Sequence, residues 1–442
     1  MVMMRCPVCG YTVEAPLEFH FCPNCESPAE WFRPDESYVN FAHWDANTRL
    51  QIEKMAQTGK PTLEAKGTTR SFRNMDELVF RPAQVALSPR MLEEEVSTEL
   101  LLGKKAASPV MSKTPILNAG MSFGALSREA KMALALASTL AGTVANTGEG
   151  GMLDEERELA ERITLQYSTG RFGVSEERLM SADIIEIKIS QGAKPGIGGK
   201  LPGHKVTPEI ASIREIKPGI LSQSPARHPD IENPQDLSDK IAWLRELTGG
   251  APISLKLVGG HIEKDLGAIF DQEHTPDILV VDGAEGGTGA APVTFKDHVG
   301  MPLLYSLPRA ADFIRGAGIE DRVTLIAAGG IRHAADVAKA LALGADGVYM
   351  AGALKIALGC RYLRKCHEDI CPYGIATQKP ELRARLNVEE KAHKVANFIN
   401  AATDELRDIV RACGKTAAYQ LDREDLAALD SETALITGVE KA

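Results

Sequence analysis

No block of basic residues stands out in this chain of 442 residues, and its formal net charge is −10. Nucleic acids are bound through basic patches, so this charge balance argues against a nucleic-acid partner. An acidic surface is compatible with a basic protein partner, but a solvated surface is the simpler explanation. The hydrophobic content of 44% and the charged content of 25% are those of an ordinary soluble globular protein.

Long uncharged apolar segments are also missing. The N-terminal residues Met-Val-Met-Met-Arg-Cys lack the apolar core of a signal peptide. A membrane-spanning helix needs about 20 predominantly apolar residues, and Met132–Val144 is shorter than this and rich in Ala. We therefore expect a cytoplasmic protein without a membrane partner.

From Pro115 onward, short apolar runs alternate with amphipathic segments. The strand-like runs are Ile116–Ala119, Ile184–Ile189, Ile253–Val258, Ile278–Val281, Val323–Ala328 and Gly347–Met350. The helix-like segments between several of them are Ala130–Leu140, Asp236–Leu247, Arg309–Ala317 and Ala335–Leu343. This alternation predicts a parallel α/β fold, and the number of units suits a (β/α)8 TIM barrel with insertions.

The length of the chain predicts more than one unit. We expect a four-cysteine metal module at 1–35, a connector wrapping the barrel at 36–108, the barrel at 109–415 and a C-terminal tail at 416–442. Within the connector we expect a helix near Ala46–Ala56 and a loop from Lys60 to Thr69. From about Asn387 the chain is expected to be mostly helical.

Seven of the eight cysteines fall into two groups, which in a reducing compartment indicates metal or redox sites rather than disulfides. The first group has the spacing C-x2-C-x12-C-x2-C and consists of Cys6, Cys9, Cys22 and Cys25. Each knuckle aims two sulfurs at one point, which suits tetrahedral iron or zinc. One interpretation is a structural zinc ribbon. The C-P-x-C-G-Y opening, the C-P-x-C close and the following Trp31-Phe32 resemble the rubredoxin module of rubrerythrins, which favours iron.

The second group is the C-x5-C-x4-C-P run of Cys360, Cys366 and Cys371. A [4Fe-4S] cluster normally takes four thiolates, so three at close spacing predict a [3Fe-4S] cluster. The alternatives are a remote fourth ligand such as His367, or three unrelated buried thiols. The eighth cysteine, Cys413, is predicted to be a buried structural thiol.

Two glycine-rich turns follow predicted strands near the end of the barrel, at Gly329-Gly330 and at Gly352. In barrels the loops after strands seven and eight form a phosphate site, where glycines let backbone N–H groups approach the oxygens. Ordinary turn glycines are the alternative. No strand-linked G-x-G-x-x-G is present, which argues against a bound dinucleotide. These turns therefore predict the phosphate site of a flavin.

Two further segments are expected to contact the flavin ring. The segment Asn118–Gly124 also ends a strand and would place its backbone and Ser122, next to Met121, against the ring. Lys256 lies within an apolar strand, where its ammonium would balance the negative charge of a reduced flavin. The alternative is a strand-end lysine that reaches solvent.

Several long motifs together resemble the synthase (FMN) domain of glutamate synthase, over about residues 81 to 414. They are Gly120–Ser127, Asn146–Gly151, Gly170–Val174, Gln191–Gly203, Asp282–Pro292 and the three-cysteine run. The resemblance implies a [3Fe-4S] cluster beside FMN in a barrel. It also implies that 2-iminoglutarate, formed from 2-oxoglutarate and ammonia, receives a hydride from reduced flavin and becomes L-glutamate.

The resemblance also implies roles for individual residues. It places the 2-oxoglutarate ligands at Gln191, Lys194 and Arg214, two of which are the cationic donors that a dicarboxylate needs. Glu149 matches the acidic residue near the point where ammonia meets the keto acid, where it would assist proton transfer. Lys256 matches the flavin-contacting lysine of the family.

The chain departs from the family pattern in several places. Ile197 stands within the G-E-G-G motif, Ser224–Asp230 replaces a run of prolines and paired histidines, and Glu285 is the acidic residue of the D-G-G-T-G loop. Residue 2 is Val, so removal of Met1 exposes no cysteine nucleophile, and we expect no glutaminase domain. Ammonia would come from solution or from a partner glutaminase subunit.

Three functions are weighed. In the first, a protein carrier delivers electrons to the rubredoxin-like iron, and they pass through the cluster to FMN for glutamate synthesis. The second is amine transfer, as in the flavin subunit of N-methylglutamate synthase, which the segments Gly330–Asp346 and Arg227–Asp230 also resemble. The third is an electron-transfer or redox-sensing subunit without turnover. The presence of Gln191, Lys194 and Arg214 argues against a redox subunit without turnover. The added rubredoxin-like module favours net reduction over amine transfer. An oligomer is compatible with all three.

Overall fold

The computed structural model describes residues 3–14, 20–34 and 46–442. Eight parallel strands form the core: β1 (Ile116–Asn118), β2 (Ala145–Asn146), β3 (Ile163–Ser168), β4 (Ile184–Lys188), β5 (Ile253–Val258), β6 (Ile278–Asp282), β7 (Thr324–Ala328) and β8 (Gly347–Met350). Each strand pairs with the next in chain order from β2 to β8, and β8 pairs with β1. The predicted barrel is therefore confirmed.

The barrel is nearly closed between β1 and β2. The Asn118 N–H donates to the Val144 carbonyl at 3.2 Å, and the Thr143 hydroxyl donates to the Ile116 carbonyl at 2.7 Å. These bonds hold the loop before β2 against β1. The loops that follow all eight strands consequently surround one opening.

Helices follow most of the strands and cover the outside of the barrel. They are Arg128–Leu140, Asp154–Leu159, Glu176–Met180, Pro208–Arg214, Pro234–Leu247, Ile262–Phe270, Val293–His298, Leu303–Gly316, Ala334–Ala342 and Gly352–Ala357. The Asn233 side chain caps one of them by accepting from the Asp236 N–H, and Pro234 fits its first turn because proline lacks the N–H that has no partner there. The remaining helices are Ala46–Thr58, Pro380–Arg383, Val388–Ala412 and Ser431–Thr437.

Short strands outside the barrel form small sheets of two or three strands. They are Met3–Arg5, Thr12–Glu14, Arg33–Pro34, Leu63–Glu64, Leu78–Phe80, Leu100–Leu102, Val110–Ser112, Lys200–Leu201, Ser222–Gln223, Ala291–Pro292 and Leu426–Ala428. Strand Leu63–Glu64 pairs with Ala291–Pro292, so the prediction of a plain loop from Lys60 to Thr69 is wrong there. Strand Leu426–Ala428 of the tail pairs with Leu78–Phe80 of the connector. The domain boundaries stay a prediction, and 15–19 and 35–45 lie outside the described residues.

The chain after about residue 387 is mostly helical, as expected. Its long helix Val388–Ala412 packs along Arg128–Leu140. Cys413 follows that helix and is buried, as predicted. Within the described residues, no helix has the length and apolar character needed to cross a bilayer.

Candidate functional site

The four N-terminal cysteines converge on one point. All four sulfurs lie within 4.8 Å of one another. The Cys6 and Cys25 sulfurs are 3.6 Å apart, as are those of Cys9 and Cys22. A tetrahedral ion with metal–sulfur bonds of about 2.3 Å would hold its sulfurs roughly 3.8 Å apart. Because Phe32 packs on two of these cysteines, the site has a small apolar base. The geometry fits one iron or zinc ion, and the choice between them stays a prediction.

The second cysteine group lies at the mouth of the barrel. Cys360, Cys366 and Cys371 are half-buried and line one cavity, and the Tyr362 N–H donates to the Cys360 sulfur at 3.4 Å. Three sulfurs facing one cavity fit an iron–sulfur cluster better than three unrelated buried thiols. His367 lines the same cavity, and its Nδ1 is buried with no hydrogen-bond partner among the described residues. The alternative of a fourth ligand therefore stays a prediction.

Positive charge surrounds the three cysteines. Lys66, Lys205 and Lys355 line the same cavity. The Lys205 ammonium donates to the backbone oxygens of Cys366 and Ala376, at 3.0 and 3.1 Å. A thiolate-bound iron–sulfur cluster carries negative charge, so this set of donors suits such a group.

The same cavity, hereafter the basic cavity, contains a buried ion pair. Lys188 ends β4, and its ammonium donates to Oε2 of Glu149 at 2.7 Å and to Oε1 of Gln191 at 2.5 Å. Burial raises the pKa of Glu149, but the ammonium groups of Lys188 and Lys194 outweigh burial and hold this pKa at about 2. Glu149 is therefore a carboxylate at neutral pH. The structure thus brings together the predicted residues Glu149, Gln191 and Lys194. It adds Lys188, which was not predicted from the sequence.

Lys194 is a second buried cation in the basic cavity. Its ammonium donates to the Ala290 carbonyl at 3.1 Å. Burial lowers the pKa of Lys194 to about 8, an effect that Glu149 opposes and that Lys188 and Lys200 reinforce. Near neutral pH the group is cationic yet close to its pKa, so it can hold a carboxylate and can also release a proton.

Arg214 ends helix Pro208–Arg214 and lies next to Gly150, where an added Cβ would come within 3.0 Å of its Nη2. Its Nη2 donates to the Phe123 carbonyl at 2.6 Å, and its Nη1 donates to the Ser222 hydroxyl at 3.1 Å. Burial lowers the pKa of Arg214 to about 10, so the guanidinium stays charged at neutral pH. Its Nε is buried without a partner among the described residues. The role of Arg214 as a 2-oxoglutarate ligand stays a prediction.

A second cavity, hereafter the glycine cavity, opens beside the first with a volume of about 650 Å³. Gly329 and Gly330 follow β7 with φ of +102° and +77°, which favours glycine. A Cβ on Gly329 would lie 2.8 Å from the backbone nitrogen of Gly283. Gly352 follows β8 and lines the same cavity. The predicted glycine turns therefore share one cavity, of a size that suits a mononucleotide.

Lys256 lies inside the barrel and lines the glycine cavity, so the alternative of a lysine that reaches solvent is wrong. Its ammonium is 3.3 Å from Oδ2 of Asp282 and lies over the Tyr349 ring. Burial lowers the pKa of Lys256, but the carboxylates of Asp282 and Glu186 outweigh burial and raise it. The glycine cavity thus contains a permanent cation.

The two cavities adjoin. The residues that line both are Lys66, Gly120, Gly287, Ala351 and Lys355. Met121 and Ser122 come directly after Gly120 and line the basic cavity. A group in the glycine cavity would therefore face the Met121-Ser122 segment across a shared wall.

A polar network inside the barrel also escaped the sequence analysis. Glu186 accepts from the Gln166 amide at 2.6 Å and from the Tyr349 hydroxyl at 2.9 Å. Buried polar groups are nearly always paired. The sequence offered one signal for this network, namely a single polar residue inside an otherwise apolar run. Glu186 is such a residue in the sequence Ile-Ile-Glu-Ile of β4.

The N-terminal module contacts the cysteine region of the barrel. Trp31 is buried and lines the basic cavity, and Lys365 lies over its ring at 5.9 Å. Tyr373 lines the same cavity. Burial raises the pKa of its hydroxyl, the thiolates of Cys371 and Cys25 raise this pKa further, and Arg361 opposes them. The N-terminal module therefore forms part of the cavity that the three cysteines line.

Comparison with known proteins agrees with this geometry. Residues 48–416 match the conserved region in glutamate synthase. An archaeal glutamate synthase (NADPH) of Methanocaldococcus jannaschii is 40% identical over 400 residues, which cover 84% of this chain and 78% of that protein. A glutamate synthase large subunit-like protein of Rhizobium meliloti is 39% identical over 417 residues, covering 90% and 94%.

A solved structure shares the fold. Mandelate oxidase with (S)-4-hydroxymandelic acid superposes with a TM-score of 0.52 at 16% identity, covering 80% of this chain and 88% of that one. At this identity the likeness shows the fold alone. The sequence relatives show the family as well as the fold, because the family region and the long matches both span the barrel. The chain therefore belongs to the glutamate synthase family.

Proposed function

We propose that this chain forms L-glutamate by reducing 2-iminoglutarate, the imine of 2-oxoglutarate and ammonia, with electrons from a protein carrier. As a family member it is a glutamate synthase-like oxidoreductase acting on the CH-NH2 group of donors. The observation that carries the proposal is the buried group of Glu149, Lys188 and Lys194 in the basic cavity.

The cations of this group suit a dicarboxylate. Lys188 and Lys194 line the cavity, and Arg214 adds a buried charge next to Gly150. Charge-assisted hydrogen bonds to carboxylates are about twice as strong as neutral ones. The Gln191 side chain offers an amide beside them. We expect these groups to bind and orient 2-oxoglutarate.

The same residues can handle the protons of imine formation. Glu149 is ionised at neutral pH and can hold incoming ammonium through charge-assisted hydrogen bonds. Lys194, with a pKa of about 8, can take the proton that ammonium loses before its nitrogen attacks the keto carbon, and can return that proton to the hydroxyl that leaves as water. One proton is taken up and the same proton is delivered, so the dehydration balances within the site.

We propose that the glycine cavity holds FMN. Its size, its glycine turns and its buried cation support this assignment. The residues expected to contact FMN are Gly329 and Gly330 and Gly352 at the phosphate, Met121 and Ser122 at the ring, and Lys256 at the pyrimidine edge. When bound, FMN supplies hydride-transfer chemistry.

We also propose a [3Fe-4S] cluster at Cys360, Cys366 and Cys371, and iron at Cys6, Cys9, Cys22 and Cys25. The cavity-facing sulfurs and the tetrahedral spacing support these two assignments. The four-cysteine site precedes the matched family region, and Trp31 of the same module lines the cavity of the other cysteines, which suits a point of electron entry. An electron-donor protein and a glutaminase subunit are the expected partners.

The test uses the anaerobically reduced holoprotein. We expect 2-oxoglutarate with ammonia to reoxidise the flavin and to yield glutamate, detected by mass spectrometry. Methylamine in place of ammonia is the matched arm. A faster reaction with methylamine would favour the N-methylglutamate alternative. If neither addition oxidises the flavin, glutamate synthesis by this chain is wrong.

A further inference from the structure

A buried lysine from the connector reaches the three-cysteine group. Lys66 is only 2% exposed, and its ammonium lies 3.2 Å from the Cys360 sulfur and 4.5 Å from the centre of the Tyr362 ring. The side chain lines both the basic and the glycine cavity. It therefore lies beside the sulfur and between the two places proposed for redox groups.

The backbone holds this lysine in an unusual conformation. Lys66 has a φ of +75°, which side-chain-bearing residues rarely adopt. Its N–H donates to the Thr288 carbonyl at 2.7 Å, and its carbonyl accepts from the Thr288 N–H at 3.4 Å. The next residue, Gly67, runs so close to Glu285 that a Cβ would lie 2.4 Å from the Glu285 carbonyl. Such strain persists where the surroundings determine it, and it clusters at functional sites.

Lys205, another lysine beside the cysteines, makes different contacts. Lys205 directs its ammonium to backbone oxygens, including the Cys366 carbonyl. Among the hydrogen bonds within the described residues, the ammonium bond to a sulfur of the trio comes from Lys66. The Lys66 ammonium is thus placed to compensate negative charge on the Cys360 sulfur, whereas the Lys205 ammonium pairs with backbone carbonyls.

We propose that Lys66 is a charge-compensating residue whose ammonium raises the reduction potential of an iron–sulfur cluster at Cys360, Cys366 and Cys371. The inference rests on the proposed cluster. One-electron reduction adds a negative charge to the cluster, and a cation at hydrogen-bond distance stabilises that charge strongly in a buried site. Hydrogen bonds to the sulfurs and local charge are known determinants of such potentials.

The test is a potentiometric titration of the purified holoprotein, followed by the EPR signal of the oxidised cluster, without substrates. In Lys66→Met, which keeps the length of the side chain, the potential should fall. We expect at least a tenfold change in the ratio of oxidised to reduced cluster at a fixed potential, which is 59 mV for one electron. Lys66→Arg keeps the charge, and Lys217→Met removes an exposed lysine. In both of these variants, the ratio of oxidised to reduced cluster at that potential should stay within threefold of the wild-type ratio.

Each outcome decides the matter. A wild-type potential in Lys66→Met, or an equal fall in Lys66→Arg, would overturn the proposal. Loss of the cluster from Lys66→Met alone supports a requirement for the charge, whereas loss from both variants shows a role of shape and overturns it. Absence of any cluster from the reconstituted wild type would overturn the cofactor assignment as well. If Lys66→Met shows the expected fall in potential but the wild-type protein makes no glutamate, the role of Lys66 stands and the proposed substrate chemistry is rejected.

Discussion

The ammonium of Lys188 donates to Oε2 of Glu149 over 2.7 Å, and this ion pair joins the end of β4 to the loop after β2. Both side chains are at most 12% exposed. The pair therefore links two strands that are not neighbours in the barrel, at the point where the substrate is expected to bind.

Removal of one partner should cost stability as well as activity. We expect Lys188→Met to lower the free energy of unfolding by about 3–5 kcal/mol, because the carboxylate of Glu149 is left buried without its main cation. The double variant Lys188→Met with Glu149→Gln should recover part of that loss. Urea unfolding of these two variants and of the wild type measures both effects. Equal stability of Lys188→Met and wild type would contradict the buried pair.

The pKa of Lys194 predicts a pH limit for substrate binding. Burial lowers this pKa to about 8, so the cation is present below that pH and is lost as the pH rises through it. We expect the affinity for 2-oxoglutarate, measured by calorimetry on the oxidised protein, to fall above pH 8. In Lys194→Arg the charge persists, so the fall should move to higher pH. An identical profile in the arginine variant would mean that another group titrates.

Arg214 is predicted to act on the keto acid and not on FMN. Arg214→Ala should raise the KM for 2-oxoglutarate by roughly tenfold, equivalent to about 1.4 kcal/mol, while the flavin absorbance stays that of the wild type. Arg214→Lys keeps a charge but not the paired bonds to Phe123 and Ser222, so it should fall between the two. Loss of FMN from the alanine variant would show that the assignment of this arginine is mistaken.

The four-cysteine site predicts a separable electron input. Cys22→Ser should lose about one metal ion per chain, because a tetrahedral site with one thiolate removed binds weakly. Reduction by a protein donor should slow, while reduction by dithionite should not. Cys413→Ala, which removes a buried thiol elsewhere, is the control. Zinc in the purified wild type would exclude this site as the point of electron entry.

Much of the barrel could be predicted because parallel strands buried on both faces are continuous apolar runs. Strand β5 was predicted at its observed bounds on this basis. Strand β3 was missed because Thr164, Gln166 and Ser168 interrupt the run, and Gln166 is polar because it pairs with Glu186 inside the barrel. Strand β2 has two residues, too few for any pattern to show.

Candidate residues were found where a motif or a strand surrounded them. Lys256 was identified as a cation within an apolar strand, yet Lys188, which is the last residue of the mostly apolar strand β4, was not singled out. Lys66 carried no periodic signal at all. Its burial depends on the contact of its segment with Thr288 and Glu285, more than two hundred residues away in the chain, and such a contact is invisible in local sequence.

The contact of Trp31 with the basic cavity has a consequence for maturation of the protein. A four-cysteine module with so small an apolar core is expected to depend on a bound metal for folding. With the proposed ion at this site, the wall that Trp31 forms would be complete only after the ion is bound. Before then, the three cysteines of the barrel would face a wider opening. Iron and sulfide would therefore enter the barrel most easily first, and loading of the N-terminal site would close the chamber behind them.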